Sequence, residues 1–196
     1  MRISYIDSAL TFKKNSTQES GEKEILMGWR YCTGTGVEQD FLKAKKYFEN
    51  ADMQGNIDAT FNLGVMYYKG NGVKQDYRKA REYFERAAEK NFAMAQYNLG
   101  ILYCNGDEVQ KDYSKGVEYL KKSALQECVE AQSALAEMYY NGTGVECDAS
   151  EAIKLYTKAA LQGFSEAQFN YVGKGVEKNY SKAVEWYEQS CSARRC

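Results

Sequence analysis

The chain has 196 residues, of which 44% are hydrophobic and 27% are charged, and its 26 basic residues nearly balance its 27 acidic ones. This composition is typical of a folded chain that buries a core. The formal net charge of −1 provides no overall attraction to nucleic acid, so we expect no nucleic-acid partner. No apolar run approaches the roughly 18 residues that a membrane span needs, so none is expected.

The first 21 residues precede the regular part of the sequence. They match the pattern of the later residues only weakly, so a degenerate capping helix and a disordered segment both remain open. The same segment lacks the uninterrupted apolar stretch of a secretory signal, and on the chain as given we expect a cytoplasmic location. A secreted or periplasmic location remains open if a signal segment has been removed.

From residue 22 onward, one pattern recurs every 36 residues. Gly28, Gly64 and Gly100 occupy one position of it, the next step falls on Ala136, and a tyrosine follows three residues after each of the four. A constant period in this range is typical of solenoids, whose units bury their apolar faces against each other. We divide the repeat domain, 22–196, into units at about 22–56, 57–92, 93–128, 129–164 and 165–196.

The second unit illustrates the content of each repeat. Ala59, Leu63 and Tyr67 are spaced to form one stripe of a helix, and a second helical stripe begins at Ala80. The segment between them contains Gly-x-Gly and has no apolar periodicity, which indicates a turn. The sequence therefore predicts helix, tight turn, helix in each unit.

An aspartate precedes the second helix of each complete unit: Asp40, Asp76, Asp112 and Asp148. A carboxylate at this place can accept hydrogen bonds from the free N–H groups of the helix and meets the positive end of its dipole. We therefore predict caps, not catalysts. The Gly-x-Gly turns are interpreted as structural too, because they join helix to helix and no Gly-Lys-Ser/Thr follows them.

The fifth unit is shorter than the others. The spacing from the leading alanine to the first turn glycine is 11 residues in the second, third and fourth units, but only 6 from Ala167 to Gly173. The missing residues include most of the segment that docks the first helix onto the second. We expect this terminal pair to be the least stable part of the array and a possible site of self-association.

Four sequence patterns, in order and at a constant spacing, resemble the Sel-one-like repeat (SLR) family, a relative of the tetratricopeptide repeat. In the second unit they are Leu63-Gly64 with Tyr67, Gly70-x-Gly72-Val73, Asp76 with Lys79-Ala80, and Tyr83-Phe84 with Ala87-Ala88. The resemblance implies an all-α fold, a right-handed α-α superhelix (solenoid) of about four complete helix-turn-helix repeats plus the shortened fifth. It also implies adaptor work, in which the first helices line a concave groove that binds a protein or peptide.

If the first helices are oriented as in tetratricopeptide-like modules, the groove residues lie at fixed offsets from the repeated leucine. The resulting partner-binding candidates are Trp29, Phe61, Val65, Tyr68, Tyr97, Ile101 and Tyr140. Phe61 and Tyr97 are expected at the surface, being about 200° around the helix from the leucine. Val65 and Ile101 have an equally good alternative, which is packing between successive helices.

The chain contains no histidine, which excludes Ser-His and Cys-His nucleophile pairs and a histidine general base. We expect no catalytic residues, no cofactor and no metal site. The six cysteines do not form the regular pairs of the cysteine-rich SLR branch, and we expect them to be mostly reduced. That branch nevertheless suggests the alternative function, a hydrolase with weak β-lactamase and penicillin-binding activity, although no Ser-x-x-Lys motif with its companions is present.

Overall fold

The computed structural model describes residues 21–106 and 110–162, and this part contains eight α-helices and no strand. The helices are α1 Glu22–Thr33, α2 Phe41–Met53, α3 Ile57–Lys69, α4 Tyr77–Glu89, α5 Ala93–Asn105, α6 Tyr113–Leu125, α7 Val129–Asn141 and α8 Ala149–Leu161. Each successive pair forms one unit of the predicted period. The fold is the all-α solenoid that the sequence predicts.

The buried clusters of the core cross the boundaries between units instead of lying within single units. Each helix packs mainly against the helices before and after it in the chain. One buried cluster joins the first two units, a second joins the second and third, and another joins the third and fourth. A unit therefore depends on its neighbours for burial, as expected of a solenoid.

The predicted caps are confirmed in all four described units. The carboxylate of Asp76 accepts a hydrogen bond from the backbone N–H of Lys79 at 3.0 Å. Asp40, Asp112 and Asp148 do the same at the start of their helices. At the end of α3, Gly70 has a left-handed φ of 76° and its N–H donates to the carbonyl of Met66, which explains the glycine there.

The repeated glycine of the first helix has a packing role. A Cβ added at Gly64 would lie 2.6 Å from a ring carbon of Phe84, and one added at Gly28 would lie 2.4 Å from the corresponding carbon of Phe48. The glycine thus allows the two helices of a unit to approach closely.

The repeated tyrosine of the first helix stacks on a tyrosine of the second. The rings of Tyr67 and Tyr83 are 5.6 Å apart and 11° from parallel, and Lys79 lies over Tyr67 at 5.2 Å. The first and third units repeat this arrangement with Tyr31 on Tyr47 and Tyr103 on Tyr119. These pairs fix the relative position of the two helices within a unit.

Residues 1–20, 107–109 and 163–196 lie outside the described part of the chain. The predictions for the N-terminal segment, for the shortened fifth unit and for self-association through it therefore stay predictions.

Candidate interaction surface

The prediction that Phe61 and Tyr97 lie at the surface is wrong. Phe61 is 4% exposed and Tyr97 is 1% exposed. The corresponding residues of the first and fourth units, Ile25 and Ser133, are buried as well. This repeat position is therefore an internal contact of the array, and it is not available to a partner.

The next unit along the chain causes this burial. The ring of Phe61 lies 5.7 Å from Phe84 of its own unit and 5.2 Å from Phe92, which directly precedes α5. Tyr97 belongs to a buried cluster with Leu120 and Cys128, of which Cys128 directly precedes α7. In both cases the start of the following first helix covers the side of the helix that faces away from the repeated leucine.

The surroundings of Tyr97 also act on its hydroxyl. Burial raises the pKa of Tyr97 well above its usual range, and the negative charge of Glu130 adds to the shift. Tyr97 is therefore a neutral core residue.

Ile101 is buried in the same cluster, with 2% of its surface exposed. For this residue the alternative of packing between helices is correct, and its assignment to the groove is wrong.

Four of the predicted partner-binding residues remain half-exposed: Trp29, Val65, Tyr68 and Tyr140. Trp29 packs its edge against Phe48, with ring centroids 6.3 Å apart, and Tyr68 makes a similar contact with Tyr77 at 5.2 Å. One side of each of these rings is thus fixed by the fold. We call these four residues the first-helix face.

Two carboxylates lie on the same side of the first helices. Asp58 and Glu130 occupy one repeat position near the start of α3 and α7, and both are half-buried. Burial raises the pKa of the Asp58 carboxyl. No ion pair of Asp58 is found among the residues that the structure describes, so its partly desolvated charge favours a cation from outside.

A concave feature that the sequence analysis missed is lined by residues other than the four of the first-helix face. It is a cleft of about 600 Å³ between α2, the turn from α3 to α4 and the start of α4, with Lys45, Lys74, Arg78 and Lys79 in its walls. The signal in the sequence is weak, because Lys45 is distant in the chain from the other three cations.

The thiols are poor nucleophiles. Cys32, Cys104 and Cys128 are free, and burial raises the pKa of the first two to about 11 and that of Cys128 to about 12. Cys147 takes part in a disulfide, so the expectation of mostly reduced cysteines does not hold for it. In residues 21–106 and 110–162, no group of three or more potential metal ligands occurs, and no helix is long and apolar enough to cross a membrane.

Comparisons with known proteins agree with the period and the helix pairs. The family model of the Sel1 repeat matches residues 24–56, 57–92, 93–128, 129–164 and 167–194. Its last match falls on the shortened unit. Among curated proteins, no sequence matches this chain.

Two solved structures are similar to the chain over 89% of its length. One is a protective antigen present in uropathogenic Escherichia coli strains and displaying an SLR fold, with 34% identity and a TM-score of 0.72. The other is a Sel1 repeat protein from Oxalobacter formigenes, with 28% identity and a TM-score of 0.73. The chain spans 38% of the length of the former and 73% of the latter.

Proposed function

The chain belongs to the Sel1 repeat family, whose members generally serve as protein-interaction scaffolds, and we propose that it binds a protein segment on its first-helix face without catalysing a reaction. The observation that supports this proposal is the half-exposure of Trp29, Val65, Tyr68 and Tyr140 on three of the first helices. Such aromatic side chains, fixed on one side and open on the other, are typical anchors of protein interfaces.

The carboxylates beside these anchors favour a particular kind of segment. Asp58 and Glu130 lie near the start of α3 and α7, the helices that carry Tyr68 and Tyr140, and their partial burial strengthens electrostatic contacts. A segment that carries both apolar and basic side chains complements this surface. An amphipathic helix or an extended peptide can supply them.

A photo-crosslinking experiment tests the surface directly. We place a photoreactive phenylalanine analogue at position 68, at position 140, or at position 125 as a control, because Leu125 is 85% exposed on a second helix. Irradiation in the native cell should give the same adduct from positions 68 and 140 and none from position 125. An adduct from position 125 alone would place the partner on the other side of the array.

The affinity of the crosslinked protein then provides a quantitative test. Tyr68→Ala combined with Tyr140→Ala should weaken binding by about 2 kcal/mol or more, as is common for aromatic anchors. The thermal unfolding curve of the double variant should show that it stays folded. Unchanged affinity in a folded variant would exclude these two residues as anchors.

The hydrolase alternative has no support from a specific arrangement of residues. The chain has no histidine, and the thiols of Cys32, Cys104 and Cys128, which are free in the described part of the chain, have raised pKa values. We expect pure protein to hydrolyse nitrocefin no faster than an equally concentrated heat-denatured sample. Turnover well above that control would contradict the scaffold proposal.

A further inference from the structure

The cleft between α2 and α4 is positively charged, although the overall charge of the protein is close to zero. Among the described residues, four cations, Lys45, Lys74, Arg78 and Lys79, line its volume of about 600 Å³, whereas Asp76 is the one acidic residue in its walls. Tyr67 and Val73 provide apolar surface beside the charges. The cleft therefore combines positive charge with room for several side chains.

The four cations differ in how they are already used. Lys45 forms an ion pair with Glu49 at 2.5 Å, and Lys79 lies over the ring of Tyr67. Lys74 and Arg78 are exposed, and neither forms an ion pair with any residue in the described part of the chain. Two cations thus remain available to an anionic ligand.

The repeat itself shows that the fold does not require these charges. The position of Lys74 is occupied by Glu38, Gln110 and Glu146 in the other units, and that of Arg78 by Leu42, Ser114 and Ser150. All four units nevertheless form the same pair of helices. The charges of the second unit therefore need an explanation other than folding.

We propose that this cleft binds an acidic segment of a partner protein, with carboxylates paired to Lys74 and Arg78. Charge-assisted hydrogen bonds between such cations and carboxylates are roughly twice as strong as hydrogen bonds between neutral groups. The proposal does not depend on the first-helix face, because the cleft lies on different residues.

The start of α4 favours separate carboxylates over a single phosphoryl group. The carboxylate of Asp76 already accepts the backbone N–H of Lys79, so that donor is not available to a phosphate oxygen. The charge of Asp76 also opposes a doubly charged group at this place. Carboxylates spread along a peptide can reach the exposed cations while avoiding it.

Fluorescence anisotropy measures the proposed binding with a labelled eight-residue peptide that alternates glutamate with serine. The peptide should bind the intact protein, binding should weaken as salt is raised, and the same peptide with glutamine in place of glutamate should not bind. Failure of the glutamate peptide to bind at low salt would overturn the proposal.

Two double variants with the same change in net charge distinguish peptide binding in the cleft from attraction of the peptide to the overall charge of the protein. Lys74→Glu with Arg78→Glu should weaken peptide binding at least tenfold. Lys46→Glu with Lys90→Glu is the control, because both lysines are exposed and lie outside the cleft, and it should change binding less than threefold. Equal losses in the two variants would assign the binding to net charge and overturn the proposal.

Two competitors distinguish other anionic ligands at constant ionic strength. Displacement of the peptide by inorganic phosphate would assign the cleft to a single phosphoryl group. Displacement by a single-stranded oligonucleotide at a lower concentration than unlabelled peptide would assign it to nucleic acid. Either result would overturn the proposal, whereas displacement by unlabelled glutamate peptide alone supports it.

Discussion

The ring of Phe61 lies 5.2 Å from the ring of Phe92, the residue that directly precedes α5, the first helix of the third unit. Phe61 shares a buried cluster with Ala95 and Leu99 of the third unit, so it packs between two units, although its place on its own helix suggests a surface residue. A packing contact between neighbouring units contributes to the stability of both units. This contact changes what a mutation at Phe61 should do.

Phe61→Ala should lower the free energy of unfolding by about 3–5 kcal/mol, since it removes a buried aromatic side chain from a packed cluster. Urea unfolding followed by circular dichroism measures this loss. Tyr68→Ala is the control on the same helix, and its smaller burial predicts a smaller loss. Equal losses would mean that Phe61 is no more important to packing than a half-exposed tyrosine.

Two leucines allow the same substitution to be compared inside and outside the array. Leu99 is 0% exposed, whereas Leu125 is 85% exposed. Leu99→Ala should cost about 2–5 kcal/mol of stability because it leaves a cavity. Leu125→Ala should change stability by no more than about 0.5 kcal/mol, as is usual at the surface. Urea melts of the two variants check the assignment of faces, and similar midpoints would contradict it.

The cap at the start of α2 predicts a specific pH dependence. The hydrogen bond from the backbone N–H of Lys43 lowers the pKa of the Asp40 carboxyl in the folded protein. Since the unfolded pKa is about 3.9, the stabilising effect of this cap is present above about pH 4 and is lost as the pH falls through the folded value. Carbon-13 NMR titration of the folded protein should place the pKa of Asp40 below that of an unfolded peptide.

Asp40→Asn provides the matched control for this titration. Asparagine keeps a side-chain oxygen that can accept the same hydrogen bond, but it does not titrate. The variant should therefore lose less of its stability than wild type when the pH is lowered from neutral to about 3. An identical pH dependence of stability in the two proteins would show that the titration of Asp40 makes no measurable contribution to it.

The sequence predicts the local features of this fold well and the contacts between units poorly. The cap formed by Asp76 depends on residues within three positions, so the sequence alone is sufficient to predict it. The burial of Phe61 depends on where Phe92 lies, and a rotation angle around one helix contains no information about the next unit. The basic cleft joins Lys45 of one unit to Lys74 of the next, which only the packing of helices brings together.

The free thiols should react slowly with alkylating reagents in the folded protein. Burial raises the pKa of Cys128 to about 12, and the reactive thiolate is therefore scarce at ordinary pH. Because the folded pKa lies above the unfolded one, neutral Cys128 stabilises the fold below about pH 8.5, and the effect declines as the pH rises towards the folded value.

Iodoacetamide labelling near neutral pH, followed by peptide mass spectrometry, tests this prediction for each cysteine. Cys32, Cys104 and Cys128 should label slowly in the folded protein and rapidly in urea. Labelling of Cys128 at equal rates in both states would show that its thiol is not protected.

Asn98 predicts a stabilising substitution at the centre of the array. Its side chain is 2% exposed, and neither of its polar atoms has a hydrogen-bond partner in the part of the chain that the structure describes. A buried polar group without a partner costs about 1–3 kcal/mol, so Asn98→Leu should raise the free energy of unfolding by about 1 kcal/mol after some loss to imperfect packing. The same repeat position holds Ala134 in the fourth unit, where it is 8% exposed, so a buried apolar side chain is compatible with this position. Asn62→Leu is the matched control: Asn62 donates a hydrogen bond to the carbonyl of Asp58 at 2.7 Å, and its replacement should be neutral or destabilising. Urea unfolding measures the free energy of unfolding of both variants. If Asn98→Leu changes it in the same direction and by the same amount as Asn62→Leu, the two side-chain amides are equally well hydrogen-bonded and the prediction is wrong.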